Sequence, residues 1–239
     1  MSDQKTSLNI GLSKAFPCSY LDQQEEQLLM LIDPENNAKR FYPLLLAQGF
    51  RRSGDAVYRP HCQQCSACQS IRIPIRHFAP SRSQKRLSNK NKAFTIIQSQ
   101  QVKACYYDLY ENYINQRHSD GVMFPATQQQ FNEFIHSSWN NCFFLEIYDQ
   151  NRLICVAITD IVTEASGTAW SAFYCFYDPT YSHYSLGKFA LLTQLKLAKK
   201  ENIDWLYLGY YIKDCRKMNY KTQFTPHQRF INGQWLSFL

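Results

Sequence analysis

The chain has 239 residues, 45% of them hydrophobic and 15% aromatic, with a formal net charge of +7. It is long enough to bury a sizeable core and too apolar for a disordered chain. No stretch holds the roughly 18 apolar residues of a membrane-spanning helix, and the polar start Met1-Ser2-Asp3-Gln4-Lys5 has no signal-peptide run. A cytoplasmic protein with no membrane partner is expected, its nine cysteines serving as thiols or metal ligands rather than a disulfide framework.

Residues 23–32 and 38–48 read as short helices, the second stopping at Gly49. Residues 50–59 have the pattern of a hairpin turning at Ser53-Gly54-Asp55. A cysteine-rich loop follows at 61–69, then a strand with Ile71, Ile73 and Ile75 on one face and Arg72 and Arg76 on the other. Residues 80–92 form a basic loop or short helix, and a strand lies near 94–98. Tyr106, Leu109, Tyr110, Tyr113 and Ile114 recur at helical spacing, which predicts a helix over about 103–118. A helix at about 127–139 and strands at 142–149, 153–162 and 168–177 come next. Ser185 is a suitable N-cap for a helix over 185–200, followed by a strand at 204–211 and an extended tail from 224. This is an α/β (α+β) pattern with a mixed sheet. A boundary near residue 98 separates a smaller basic, cysteine-bearing part (1–98) from a sheet-and-helix part (99–239).

Charge and cysteines point to partners. Between Asp55 and Asp108 there is no acidic residue, yet the stretch holds Arg59, Arg72, Arg76, Arg82, Lys85, Arg86, Lys90, Lys92 and Lys103. Ordinary surfaces intersperse the two signs, so a polyanion such as RNA is the expected partner. Arg82, Lys85 and Arg86, set among serines, suit phosphate contacts. Cys62, Cys65 and Cys68 are spaced C-x2-C-x2-C, and Cys18 is the best fourth ligand for zinc or an iron–sulfur cluster. Reduced thiols in a compact loop would leave the same pattern.

Other segments suggest a reaction site. Arg117-His118 closes the Tyr-rich helix, and His118 is the best-placed neutral base. Tyr177-Asp178-Pro179 followed by Ser185-Leu186-Gly187 is a strand–loop–helix unit whose free N–H groups could hold an oxyanion. Tyr210 and Tyr211, with Lys217 and Lys221 close behind, suit an RNA end whose bases stack while its phosphates are neutralised.

These segments together resemble the arginyl-tRNA–protein transferases, most closely the shorter bacterial branch. The matching residues are Pro17-Cys18-Ser19-Tyr20-Leu21, Gly49-Phe50-Arg51-Arg52-Ser53-Gly54, Tyr58-Arg59-Pro60-His61-Cys62 through Cys65, Ala67-Cys68, and Arg72-Ile73-Pro74. They continue through Pro80 to Arg86, Arg117-His118, Asp160, Phe176-Tyr177-Asp178-Pro179, Ser185-Leu186-Gly187, Leu208-Gly209-Tyr210-Tyr211-Ile212 and Lys217 to Lys221. The resemblance implies an acyltransferase fold of the N-acetyltransferase (GNAT) type in the C-terminal part. It implies transfer of leucine from leucyl-tRNA to proteins beginning with Asp or Glu, which marks them for degradation. No cofactor is needed for that chemistry, and no Gly-rich pyrophosphate loop of the CoA enzymes precedes the helix at 185. His118 or Asp160 is then expected as the base, with backbone N–H groups near Ser185 holding the oxyanion. Tyr177 and Tyr210 are expected to line the substrate site, and Arg51, Arg52, Arg72 and Arg117 are candidates to meet the acceptor's carboxylate. The alternatives are an arginyl donor in the same reaction, or a non-catalytic RNA-binding module containing zinc.

Overall fold

The computed structural model describes residues 8–164 and 167–239. The N-terminal third opens with β1 (Ile10–Leu12), β2 (Phe16–Pro17), β3 (Glu25–Glu26) and β4 (Leu28–Leu31). The helix expected at 23–32 is therefore strand. Gln, Glu, Leu and Met are good helix formers, but Leu28–Leu31 pairs with β1 on one side and with Tyr58, Arg59 and Pro60 on the other, and pairing overrides local propensity. Helix α1 (Pro34–Ala47) buries Ala38, Tyr42, Leu45 and Leu46, and the chain turns away at Gly49, whose φ is +84°. The expected hairpin forms as β5 (Arg51–Ser53) and β6 (Ala56–Pro60). At its turn, a Cβ on Gly54 would lie 2.4 Å from the Glu133 carbonyl oxygen, so only glycine fits.

Then come β7 (Gln69–Pro74), α2 (Arg82–Lys90), β8 (Thr95–Ser99), α3 (Cys105–Arg117) and α4 (Gln128–Ile135), the last shorter than expected. The long strands β9 (Cys142–Asp149), β10 (Arg152–Glu164) and β11 (Gly167–Tyr177) precede α5 (Leu186–Lys200) and β12 (Trp205–Tyr211). A short α6 (Arg216–Asn219) leads to β13 (His227–Ile231) and β14 (Gln234–Phe238). The tail expected to be merely extended is a hairpin, turning at Asn232-Gly233, both at positive φ.

Eight strands form one mixed sheet in the order β14-β13-β7-β12-β11-β10-β9-β8, and β1, β4, β6 and β5 form a smaller one. The α/β class expected from sequence is what the chain adopts. The large sheet draws strands from both sides of residue 98, β7 pairing with β12 and β8 with β9. Helix α5 covers one face through Leu186, Phe189, Ala190, Leu192 and Leu195, and α3 and α4 cover the other through Tyr106, Tyr110, Ile114, Phe131 and Ile135.

One feature of the large sheet positions the site. Among the described strands β11 and β12 are the one parallel pair, joined by the α5 crossover. Their ladder runs only through Ala169↔Trp205, Trp170↔Leu206 and Ser171↔Tyr207. Beyond it β11 stays with β10 and β12 with β7, so the sheet opens as a wedge between residues 172–177 and 208–211.

Candidate active site

The wedge is walled by phenols. The ring of Tyr113, from the last turns of α3, lies 4.9 Å from that of Tyr177 on β11. Cys175 lies within electrostatic reach of Tyr113, Tyr174, Tyr177 and Tyr220 alike. Burial raises all four phenols above their ordinary range, Tyr220 to about 12, so the wall is polar but uncharged at neutral pH. No local pattern marks Tyr113, Tyr174, Cys175 or Tyr220 as lining a site. Only the helical tyrosine stripe hinted at the first.

His118 stands at the end of α3, where the chain leaves the helix. Its Nε2 is 3.1 Å from Tyr113 Oη, and the two rings are 5.0 Å apart. Burial first, and the Lys217 ammonium second, lower its pKa, so the imidazole is neutral at physiological pH. Arg117 is exposed and is felt electrostatically by both Tyr113 and Tyr177. Lys217 is tied to Asp120 at 3.1 Å, which pins the loop after His118.

The start of α5 adjoins the same wall, since a Cβ built on Gly187 would sit 3.6 Å from Tyr177 Cε1. The cap expected of Ser185 is not made: the residue is left-handed at φ +50°, no side-chain oxygen caps the helix, and its N–H donates to the Ser182 carbonyl at 3.0 Å. Any oxyanion donors here are therefore the backbone N–H groups that follow Ser185. Asp178, in the loop before, accepts from Thr180 N–H and pairs with Arg152 at 2.5 Å.

The structure gives the other expected residues different surroundings. Arg52 and Asp160 form a fully buried pair, Nε to Oδ2 2.9 Å and Nη2 to Oδ1 2.6 Å. Burial raises the Asp160 carboxyl while Arg52 opposes the rise, and Asp160 in turn keeps the guanidinium charged. Neither side chain is free to meet a substrate, which removes Asp160 as base and Arg52 as carboxylate binder. Arg72 lies between Trp205 and Trp235, 3.8 and 4.1 Å from the ring centres, and bonds Gln228 and Tyr207. Tyr210 is buried with its hydroxyl donating to the Gly49 carbonyl at 3.0 Å, so its ring is unavailable for stacking on a base. Arg51 is buried against Tyr207 and Tyr210 and donates to Phe50 O, Ser70 Oγ and Gly209 O.

Of the expected RNA contacts, Arg82, Lys85 and Arg86 are exposed on α2 with no carboxylate partner among the described residues. Lys221 is the exception. Its Nζ is buried, donating to the Tyr210 carbonyl at 2.6 Å, and burial followed by repulsion from Arg51 lowers it to about 7. A phosphate on the surface cannot reach it.

Cys18, Cys62, Cys65 and Cys68 are half-buried free thiols lining one pocket beside Glu26. Their chemistry suits zinc or an iron–sulfur cluster. Among the described residues, however, no three Cys, His, Asp or Glu side chains converge as a bound ion requires. Burial and the neighbouring Glu26 raise Cys68 to about 12, so in this arrangement it is a thiol.

Residues 16–86 match the profile "Arginine-tRNA-protein transferase, N terminus", and residues 105–231 match "Arginine-tRNA-protein transferase, C terminus". The chain belongs to the arginine-tRNA-protein transferase family. It is 47% identical to the aspartate/glutamate leucyltransferase of Pseudoalteromonas atlantica, over 95% of this chain and 96% of that one. It is 47% identical to the enzyme of that name from Aeromonas hydrophila, over 97% and 96%. The Vibrio campbellii enzyme is 46% identical over 98% and 99%. Like these relatives, the chain is a transferase. Within the family, the N-terminal match contains the four thiols and the start of the basic helix, and the C-terminal match contains His118 and the whole wedge. Among the described residues no helix is long and apolar enough to cross a membrane.

Proposed function

We propose that this transferase moves leucine from leucyl-tRNA onto the α-amino group of proteins that begin with Asp or Glu. The observation that carries this reading is the uncharged phenol-walled wedge with a neutral imidazole at its edge, in a chain whose near-full-length relatives bear the leucyltransferase name. An aminoacyl ester is already activated, so the protein needs to position two reactants and move one proton. Positioning supplies roughly 7–11 kcal/mol of the barrier in favourable cases. The acceptor nitrogen attacks the ester carbonyl carbon, and the new C–N bond forms as the C–O bond to the ribose breaks. His118 takes the proton released by the amine, and Tyr113, bonded to its Nε2, orients the ring or passes the proton toward the leaving ribose hydroxyl. The uncapped first turn of α5 supports the oxyanion. Arg82, Lys85 and Arg86 engage tRNA phosphates. Because charged tRNA is made and consumed where translation runs, this reading puts the reaction in the cytoplasm.

The four thiols are proposed to hold a structural zinc or iron–sulfur cluster after their side chains turn inward, and no step of the transfer uses it. The deciding experiment incubates the protein with total charged tRNA and a Glu-starting peptide, read by mass spectrometry. A mass gain of one leucine supports the reading, a gain of one arginine redirects the donor, and no gain refutes transfer.

A further inference from the structure

Arg51 and Lys221 are 6% and 7% exposed, and they hydrogen-bond adjacent carbonyls of β12. Arg51 Nη2 donates to Gly209 O at 3.3 Å, Lys221 Nζ donates to Tyr210 O at 2.6 Å, and a Cβ on Gly209 would lie 3.6 Å from Lys221 Nζ. Charged side chains are almost never this buried without an opposite charge. Among the described residues neither has one. Arg52, one residue along the same strand, shows the usual solution in its two-bond pair with Asp160. The one acid in these surroundings, Glu26, is driven toward its neutral form by burial and takes a hydrogen bond from the Ser19 backbone. The two cations repel each other, and their donors are incompletely used: Arg51 Nε is buried with no partner, and the remaining neighbour of the ammonium is the Met218 sulfur at 3.2 Å.

Their place in the sheet is as informative as their charge. The β7–β12 register shifts between Tyr207 and Tyr210, Gly209 has φ +80°, and β11 has already parted from β12 after Ser171. The two cations thus bond the stretch of β12 that follows its parting from β11. We propose that Arg51 and Lys221 form the subsite that receives the side-chain carboxylate of the acceptor's first residue. This rests on the acidic-acceptor reading above. A carboxylate between them accepts charge-assisted bonds from both, removes their repulsion, and is held in place while the α-amine lies in the wedge. A neutral amide offers no such compensation.

The test measures leucyl transfer to four peptides that differ only in their first residue, Glu, Gln, Asp or Asn, by wild type and by Lys221→Met. A charge-assisted contact predicts a wild-type Glu-over-Gln ratio in kcat/KM of roughly ten to a hundred. Lys221→Met is expected to cut that ratio by about tenfold, chiefly through KM for the acidic peptides. It should also raise the thermal midpoint, because an unpaired buried cation is gone. Lys221→Gln keeps a donor for the Tyr210 carbonyl and gives the same reading should methionine fail to fold. A wild type that prefers Glu, with both variants keeping the full ratio, overturns the subsite and leaves the acceptor reading standing. A wild type that treats Glu and Gln alike overturns both.

Discussion

Arg52 and Asp160 are closed on each other by two hydrogen bonds of 2.9 and 2.6 Å, and neither side chain has any exposure to solvent. They are 108 positions apart in the chain, and their pair ties β5 of the small sheet to β10 of the large one. The guanidinium also lies 3.9 Å from the centre of the Phe173 ring, on the β11 wall. What resembles a base beside a substrate-binding arginine in the sequence is a fastening between sheets.

That fastening sets the first expectation. Asp160→Asn leaves a buried guanidinium uncompensated and should cost about 3–5 kcal/mol. The double change Arg52→Met with Asp160→Leu removes both charges and should cost much less. Denaturant unfolding of the three proteins checks this, and a catalytic loss in the double variant small beside that of a His118 variant would confirm that Asp160 is not the base.

His118→Asn should lower kcat by roughly 10²–10⁴, and Tyr113→Phe by less, with unfolding unchanged in either case. The sign of the pH effect follows from burial. A base works when deprotonated, so kcat is full at high pH and falls as pH drops through its pKa. The falling limb should lie below the ordinary imidazole value of about 6.5. Lys217→Met removes a neighbouring cation that helps depress the imidazole, and should move that limb upward. A limb that stays put in Lys217→Met, or is absent from wild type, assigns the proton to another group.

Binding of tRNA should weaken steeply with salt, because each neutralised phosphate releases counterions. Changing Arg82, Lys85 and Arg86 to Glu should weaken binding further and flatten the slope of log K against log salt. Filter binding at several salt concentrations reads both, and an unchanged slope would place the RNA contacts elsewhere.

For the thiol pocket, protein purified without oxygen or chelator should carry about one zinc, or one iron–sulfur cluster, per chain by elemental analysis. Cys65→Ser should then lower the thermal midpoint, since a structural site contributes folding free energy. Metal-free protein with the same midpoint as the variant would show that the four sulfurs are simply thiols.

The sequence showed the skeleton of the molecule better than its charges. The β5–β6 hairpin, the α3 stripe, the β11–α5–β12 unit and the exposed basic segment all carry local signals, periodicity or turn residues, that the structure follows. Leu28–Leu31 did not, because its strand exists only through partners supplied by β1 and β6. Lys221 was hidden for a similar reason. Within Lys217-Met218-Asn219-Tyr220-Lys221 its charge looks like that of Lys217, and only the return of the chain beneath β12 separates the exposed lysine from the buried one. The Arg52–Asp160 pair and the Tyr113–His118 contact differ in the same way: the first is a long-range pairing no local pattern announces, the second joins residues five apart.

The basic segment at 82–90 is already a capped helix in the free chain. Ser81 closes both halves of a capping box with Gln84, accepting from its N–H at 3.3 Å while Gln84 Oε1 accepts from Ser81 N–H at 2.8 Å, and Gln84 Nε2 also reaches the Gln223 carbonyl at 3.0 Å. Arg82, Lys85 and Arg86 therefore stand three and four positions apart on one side of a rigid rod. A basic tail that folds only on contact gives up part of its attraction to the entropy of becoming ordered. In the proposed tRNA-binding role this helix has met that demand during folding, so its attraction for phosphate would go into holding and aiming the RNA, while bonds from Gln84, Lys90 and Asn91 to the Gln223, His183 and Tyr184 carbonyls keep the aim fixed relative to the start of α5.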